Sequence, residues 1–144
     1  MQIIFRVELT KESASLESVY IRDANLSGAN LRNVQFTYAL AQRNNFTGVN
    51  LSGAILHEIS LDNAILIGAD LQGVELHQAG LSDANLSGAN LSGAILEEAD
   101  FDNANLTNAS LRAANIENAF LAKAIFCNTT MPDESIRNDG CRNG

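Results

Sequence analysis

From Ile21 to Phe126 every fifth residue is apolar and almost always large: fifteen Leu, four Phe, two Ile and one Ala, Ala41. Two residues before each lies a second column, running from Val19 to Ala124, with sixteen Ala, four Val, one Ile and Asn44. A five-residue period suits neither common element. Five steps of a 3.6-residue helix rotate about 140° and smear the Leu column around the axis. In one long strand, successive Leu residues fall on opposite faces. What satisfies both columns is a short extended piece holding the small and large residues two apart on one face, followed by a turn that restores the inward direction. Ala24 and Leu26 then point in, and so do Ala29 and Leu31. The pattern predicts a solenoid that turns every five residues, a parallel β-helix.

The turn positions agree. Two residues after each large apolar residue, 15 of the 22 positions from Asp23 to Asn128 are Gly, Asn or Asp. These residues tolerate positive φ or bond their own backbone. The glycines among them form two adjacent columns on a 20-residue coil, Gly28, Gly48, Gly68, Gly88 and Gly53, Gly73, Gly93. A 15-residue coil scatters them over three, so four sides are expected.

The segments ANLSG at 24–28, 84–88 and 89–93, ANLRN at 29–33, ADLQG at 69–73 and ANLTN at 104–108 make the chain resemble the pentapeptide-repeat family. Its signature is a small residue, a polar one, Leu or Phe, then two variable positions. The match runs from Ala14 to Asn128, 23 pentapeptides in 115 residues. The resemblance implies an all-β solenoid, a right-handed quadrilateral parallel β-helix. It would have about 5–6 coils and, at a strand spacing of ~4.8 Å, a length of roughly 28 Å. The expected division is an N-terminal cap over 1–13, the β-helix over 14–128 and a C-terminal cap over 129–144. No linker-like composition breaks the 144 residues into separate domains.

Ala41 and Asn44 depart from their columns together, with Phe36 and Phe46 on either side of Ala41. One reading is volume compensation, with the amide bonding turn backbone. The other is a distortion at residues 39–48 that shapes a binding groove.

At the start, Ile3, Phe5, Val7 and Leu9 alternate with Ile4, Arg6 and Glu8, the pattern of a strand or extended lid over the first coil. At the other end, Thr129, Thr130, Pro132, Asp133 and Glu134 followed by Gly140 predict a short helix whose Met131 and Ile136 plug the core. The stretch from Phe126 to Cys141 also resembles the tail of pentapeptide-repeat proteins from cyanobacteria and plant thylakoid lumens. That resemblance implies a terminal helix tied back by a Cys127–Cys141 disulfide. Taken alone, two cysteines are also compatible with reduced thiols in a cytosol.

MQIIFRVELT has no basic segment followed by an apolar run, and no stretch approaches the 18 apolar residues of a membrane span. The expectation is a soluble cytoplasmic protein without membrane contact, or a lumenal or periplasmic one if the chain is a processed form.

The net charge is −8, and it is unevenly placed. Between Arg43 and Arg112 there is no Lys or Arg, while Glu58, Asp62, Asp70, Glu75, Asp83, Glu97, Glu98, Asp100 and Asp102 all fall there. On a 20-residue coil His57, His77, Glu97 and Glu117 share one outward column, with Glu58 and Glu98 beside them and Asp62, Asp83, Asp100 and Asp102 on the next face. Such an acidic corner argues against direct nucleic-acid binding, which needs cations on phosphates. It can attract a basic partner. Some family members resemble duplex DNA in shape and charge and inhibit DNA gyrase, so an acidic DNA mimic is the alternative function.

The two histidines, with Glu97 and Glu58, suggest at most a divalent metal site or, more plainly, repeated exposed groups. The Asn columns Asn30, Asn50, Asp70, Asn90 and Asn25, Asn45, Asn85, Asn105 predict ladders of side-chain bonds along the rod. Asn-Leu-Ser triplets such as Asn25-Leu26-Ser27 match a glycosylation pattern only because the repeat generates them. No phosphate loop, zinc-ligand spacing or nucleophile motif occurs. The paired carboxylates sit on a convex rod without a cleft to separate their pKa values, so neither catalysis nor a cofactor is expected. The sequence therefore reads as a non-catalytic structural or protein-interaction solenoid with an unknown protein partner, monomeric or weakly dimeric. Its candidate surface is Glu58, Asp62, Glu97, Glu98, Asp100 and Asp102 with Ile65 and Ile67.

Overall fold

A computed structural model describes residues 18–142. The expected cap over 1–13 lies outside the described residues. From Tyr20 to Thr130, every outward residue between a small and a large core position bridges in parallel to the residue 20 further on. Examples are Asn45 with Ile65, Ile65 with Asn85 and Asn85 with Asn105. One turn of the coil thus takes four pentapeptides.

The repeat is built from four kinds of backbone bond. Leu66 N–H donates to Asn85 C=O (2.7 Å) and Asn85 N–H returns to Ala64 C=O (2.9 Å). Gly68 N–H at the corner donates to Ser87 C=O (2.9 Å), and Ala69 N–H closes the turn on Leu66 C=O (3.1 Å). Each coil is therefore paired both to the coil before it and to the coil after it, which satisfies backbone groups that no helix could absorb. Inside, the Leu, Ile and Phe column and the Ala and Val column form one continuous core, fully buried from Val49 to Leu111. Large and small residues alternate around each coil and fill the interior.

The corners have positive φ whatever residue occupies them. Gly28, Gly48, Gly53 and Gly68 lie between 64° and 69°, and the non-glycines Tyr38, Glu58, Gln78, Glu98 and Ala113 lie between 54° and 61°. For Ala113 neither a side-chain amide nor a missing Cβ offsets this conformation, which costs roughly 1–2 kcal/mol. Ala113→Gly is expected to raise stability by about 0.5–1 kcal/mol, after allowing for the extra freedom of glycine in the unfolded chain. Urea denaturation checks it.

The Ala41 and Asn44 pair resolves in favour of the plain reading. Residues 39–48 keep the regular succession of turns, and Phe36, Ala41 and Phe46 are all buried. The Asn44 amide works one coil away instead. Its Nδ2 donates to Ile21 C=O (2.7 Å) and its Oδ1 accepts from Ala24 N–H (2.8 Å). It thus stands in for the direct bond that closes other turns. The alternative, a distortion at 39–48 that shapes a groove, does not form.

The tail differs from expectation. Among the described residues there is no helix: Thr129–Thr130 (β1) pairs antiparallel with Ile136–Arg137 (β2). The residues that signal a helix start are already engaged by the solenoid. Thr130 N–H donates to Ala109 C=O (3.0 Å), Thr130 C=O accepts from Leu111 N–H (2.7 Å), and Thr129 Oγ1 donates to Leu106 C=O (2.7 Å). The chain then reverses through Pro132, Asp133 and Glu134, where Met131 N–H donates to Ser135 C=O (2.8 Å). Met131 packs against the core as expected, but Ile136 is 53% exposed and plugs nothing.

Candidate functional site

The 20-residue pairing sorts the outward residues into four faces. Glu58, Glu97 and Glu98 share one face with Glu75, His57 and His77; Asp62, Asp83, Asp100 and Asp102 occupy the next. Ile65 and Ile67 lie on a third face, around the corner from Asp62. The six candidate acids are therefore brought together on two adjoining faces. The two isoleucines are not part of that surface. They are 39% and 41% exposed, and the positions a coil away from them hold Asn45, Thr47, Asn85 and Ser87.

Within the acidic faces the carboxylates are tied into local networks. Asp62 accepts from Ser82 N–H (3.0 Å) through one oxygen and from Ser60 Oγ (3.1 Å) through the other. Asp100 accepts from Ser82 Oγ (3.1 Å) and from Asp102 N–H (2.9 Å). Gln78 Nε2 donates to Glu98 (2.7 Å), and Lys123 stands 3.9 Å from Asp102. These bonds orient the carboxylates outward without neutralising most of them.

His57 Nε2 lies 2.7 Å from Glu75, a partner the sequence column did not suggest. His77 Nδ1 lies 3.6 Å from Glu97. The imidazole centroids are 6.0 Å apart and meet edge to face at 73°, not stacked. Among the described residues no three His, Cys, Asp or Glu side chains converge as a metal site. Glu75 was hidden because its column alternates with Ile55 and Ile95, and only cross-column geometry brings it to His57.

The Asn columns act differently from the expected ladders. Asn25, Asn45, Asn50, Asn85, Asn90 and Asn105 each accept from the N–H two residues on, at 3.0–3.1 Å. That turn N–H has no carbonyl in reach, so the nearest side-chain oxygen takes it. Among the described residues only Asn128, donating to Asn108 (2.9 Å), links side chains of this kind across coils.

The tail is held close to the last coil. Cys127 and Cys141 form a disulfide with a Cα–Cα distance of 4.7 Å. Gly140 N–H donates to Phe126 C=O (2.8 Å), and a Cβ at Gly140 would stand 2.7 Å from Phe126 N, so only glycine allows this approach. The Arg137 guanidinium lies 3.8 Å from the Phe126 ring centroid. Arg137 also donates to Asp139, which lowers the Asp139 pKa. Closing a loop of this length stabilises by about 3 kcal/mol in the chain-entropy model. The core is already complete beneath it, so the benefit is local. A Cys127→Ser, Cys141→Ser double variant is expected to lose exchange protection at the Gly140 amide while the Leu66 and Asn85 amides keep theirs. Hydrogen-exchange mass spectrometry reads both.

Comparison with known proteins agrees with this architecture. The family model described as pentapeptide repeats matches residues 14–39, 45–83, 79–118 and 104–132. Among solved structures, the chain is similar to the pentapeptide repeat protein Rfr23 of the cyanobacterium Cyanothece 51142. Identity is 26% and the TM-score 0.54, over 83% of this chain and 89% of that one. It is also similar in fold to a trypsin-treated variant of QnrB1, a plasmid-mediated fluoroquinolone resistance protein, at 15% identity and TM-score 0.53, over 91% and 72%. A pentapeptide repeat protein of the Arabidopsis thaliana thylakoid lumen aligns at 23% identity and TM-score 0.47, over 91% and 73%. A search of curated proteins finds no match. With the repeat matched over most of its length and every coil closing after 20 residues, the chain belongs to the pentapeptide-repeat family and folds as its right-handed quadrilateral β-helix.

Proposed function

We propose that this protein is a non-catalytic interaction solenoid that offers its acidic corner to a basic protein partner. The observation that carries this reading is the gathering of Glu58, Glu97 and Glu98 on one face and Asp62, Asp100 and Asp102 on the next, with no Lys or Arg in the sequence from 44 to 111. The corners of the first face add support. Tyr38, Glu58, Gln78 and Glu98 all have positive φ there, where two other faces place glycines. Keeping large polar side chains in a conformation costing about 1–2 kcal/mol each is the kind of local strain that accompanies functional surfaces. The division into a cap over 1–13, the β-helix over 14–128 and a cap over 129–144 belongs to this reading, as do a rod of about 5–6 coils, a monomer or weak dimer, and no direct contact with nucleic acid. A cytoplasmic location fits the sequence, and the disulfide suits a lumenal or periplasmic one equally.

A second reading, an acidic DNA mimic acting on an enzyme such as gyrase, draws on the charge and on the fold shared with QnrB1. Apart from Asp70, the acids between Arg43 and Arg112 occupy only two of four faces, and a duplex is charged all around. Inhibition of gyrase supercoiling by the purified protein is its test.

For the leading reading, partners are captured from lysate with the native protein, with Glu58, Glu97 and Glu98 changed to Gln and Asp62, Asp100 and Asp102 to Asn, and with Ile65 and Ile67 changed to Ser. Loss of most captured protein with the neutralised variant, and on raising salt, is expected. An unchanged set with the neutralised variant overturns the acidic corner, and loss only with the Ser pair moves the contact to the third face.

A further inference from the structure

The two acidic faces also end in an unfinished edge. In the coil below, the large core residues of both acidic faces and the corner residue of the first donate to the following coil. Leu96 N–H reaches Asn115 C=O (2.8 Å), Glu98 N–H reaches Glu117 C=O (3.0 Å) and Phe101 N–H reaches Phe120 C=O (3.0 Å). One coil later, the N–H groups of Ile116, Asn118, Leu121 and Lys123 have no acceptor among the described residues. The side chains of Ile116 and Leu121 are half-buried, whereas Leu96 and Phe101 beneath them are fully buried. Among the described residues the tail covers only the other two faces: Thr130 and Pro132 accept from Leu111 and Ala113, and Asn138 and Gly140 bond Asn128 and Phe126. Beside the open edge Phe120 is 61% exposed.

We propose that this half-open end docks an extended, basic segment of a protein partner, which adds to the β-helix as the missing part of the next coil. Each open face offers two donors, from the core and corner residues, and the carbonyl of Ala114 or Ala119 as acceptor. The inner coils use Ala94 and Ala99 in the same way, where their carbonyls accept from Asn115 and Phe120. An incoming backbone satisfies these groups, and its inward side chains cover Ile116 and Leu121. Its outward side chains would lie one and two coils from Glu97, Glu98, Glu117, Asp100 and Asp102, against the single cation there among the described residues, Lys123 beside Asp102, so charge complementarity selects Lys or Arg there over Asp or Glu. Following both faces also requires the segment to turn where Asn118 does, at φ 55°, so Gly or Asn is expected near its middle.

The inference rests on the protein-interaction reading and is tested separately from it. The probe is a ten-residue peptide, Ala-Lys-Leu-Lys-Gly twice, titrated into isotopically labelled full-length protein, with the same peptide carrying Glu for Lys as control. Saturable amide shifts confined to Ile116, Asn118, Leu121, Lys123 and their neighbours are expected, with at least tenfold weaker response to the Glu peptide. Changing Glu97 and Glu98 to Gln and Asp100 and Asp102 to Asn should weaken the Lys peptide about tenfold without altering the amide spectrum of residues 51–71, which lie beyond the partners of these acids at His77, Gln78 and Ser82. No binding, equal binding of both peptides, or shifts on the acidic faces without the edge amides each overturn the proposal. If lysate partners are still captured through the acidic corner, only the edge, and not the interaction reading, is lost.

Discussion

Leu81→Asp is expected to abolish the folded state. Leu81 is fully buried in the large-residue column, with Leu61 and Phe101 in the same position one coil away on either side. A carboxylate there has no cation or donor within the core, and burying it costs several kcal/mol even if it protonates. Total stability for a domain of this size is about 5–15 kcal/mol, and a cavity is added to the charge. The two neighbouring coils cannot shift to relieve it, because each is hydrogen-bonded on both sides. Leu81→Ala isolates the cavity and should cost about 2–5 kcal/mol. Ile67→Asp, introducing the same charge at an exposed position, should cost under about 0.5 kcal/mol. Far-ultraviolet circular dichroism under urea separates the three, and a folded Leu81→Asp protein of near-native stability would refute the inward placement of this column.

Asn44→Ala should destabilise by about 2–4 kcal/mol, an unusual penalty for placing the residue type that fills the rest of the column. The amide is fully buried, and it serves both Ile21 C=O and Ala24 N–H. Removing it strands two backbone groups at about 1–3 kcal/mol each, offset in part by relaxation of the neighbouring turn. Asp in its place keeps the acceptor but loses the donor and adds a buried charge, so Asn44→Asp should be no better than Ala. Urea denaturation gives the magnitude. Loss of protection at the Ala24 amide locates it, and a change below about 0.5 kcal/mol would show that the Asn44 bridge is dispensable.

The extent to which this fold can be read from its sequence differs from one part to another. The column beginning at Ile21 and the offset column beginning at Val19 specify which way the first and third residues of every repeat must point, because period five admits no helix or long strand. The glycines at 28, 48, 68 and 88 give the coil length, since only a 20-residue pitch aligns them. Grouping of the acids into two adjoining faces follows from that pitch alone. What escapes are contacts whose chemistry is shared by two structures. Thr129, Pro132 and Asp133 suit a helix start and a tight reversal equally well, and the choice is made by the Thr130 backbone bonds to Ala109 and Leu111. Asn side chains stacked at one position suggest a ladder, yet each finds a nearer donor in its own turn. The Asn44 amide bonds a turn, as its burial in an Ala column suggests, but periodicity does not say that the turn belongs to the neighbouring coil. The open edge at Ile116 and Leu121 is invisible to the pattern, which continues through both residues unchanged.

The pairing of each residue with the one 20 positions on is the claim from which core, faces and edge all follow. Cross-coil nuclear Overhauser contacts test it most directly. The Leu66 amide should lie close to Asn85 and the Ile65 backbone beside those of Asn45 and Asn85, with the same spacing repeated from Asn25 to Ser110. Contacts at a spacing of 15 residues, or a network of helical neighbours three and four apart, would contradict it.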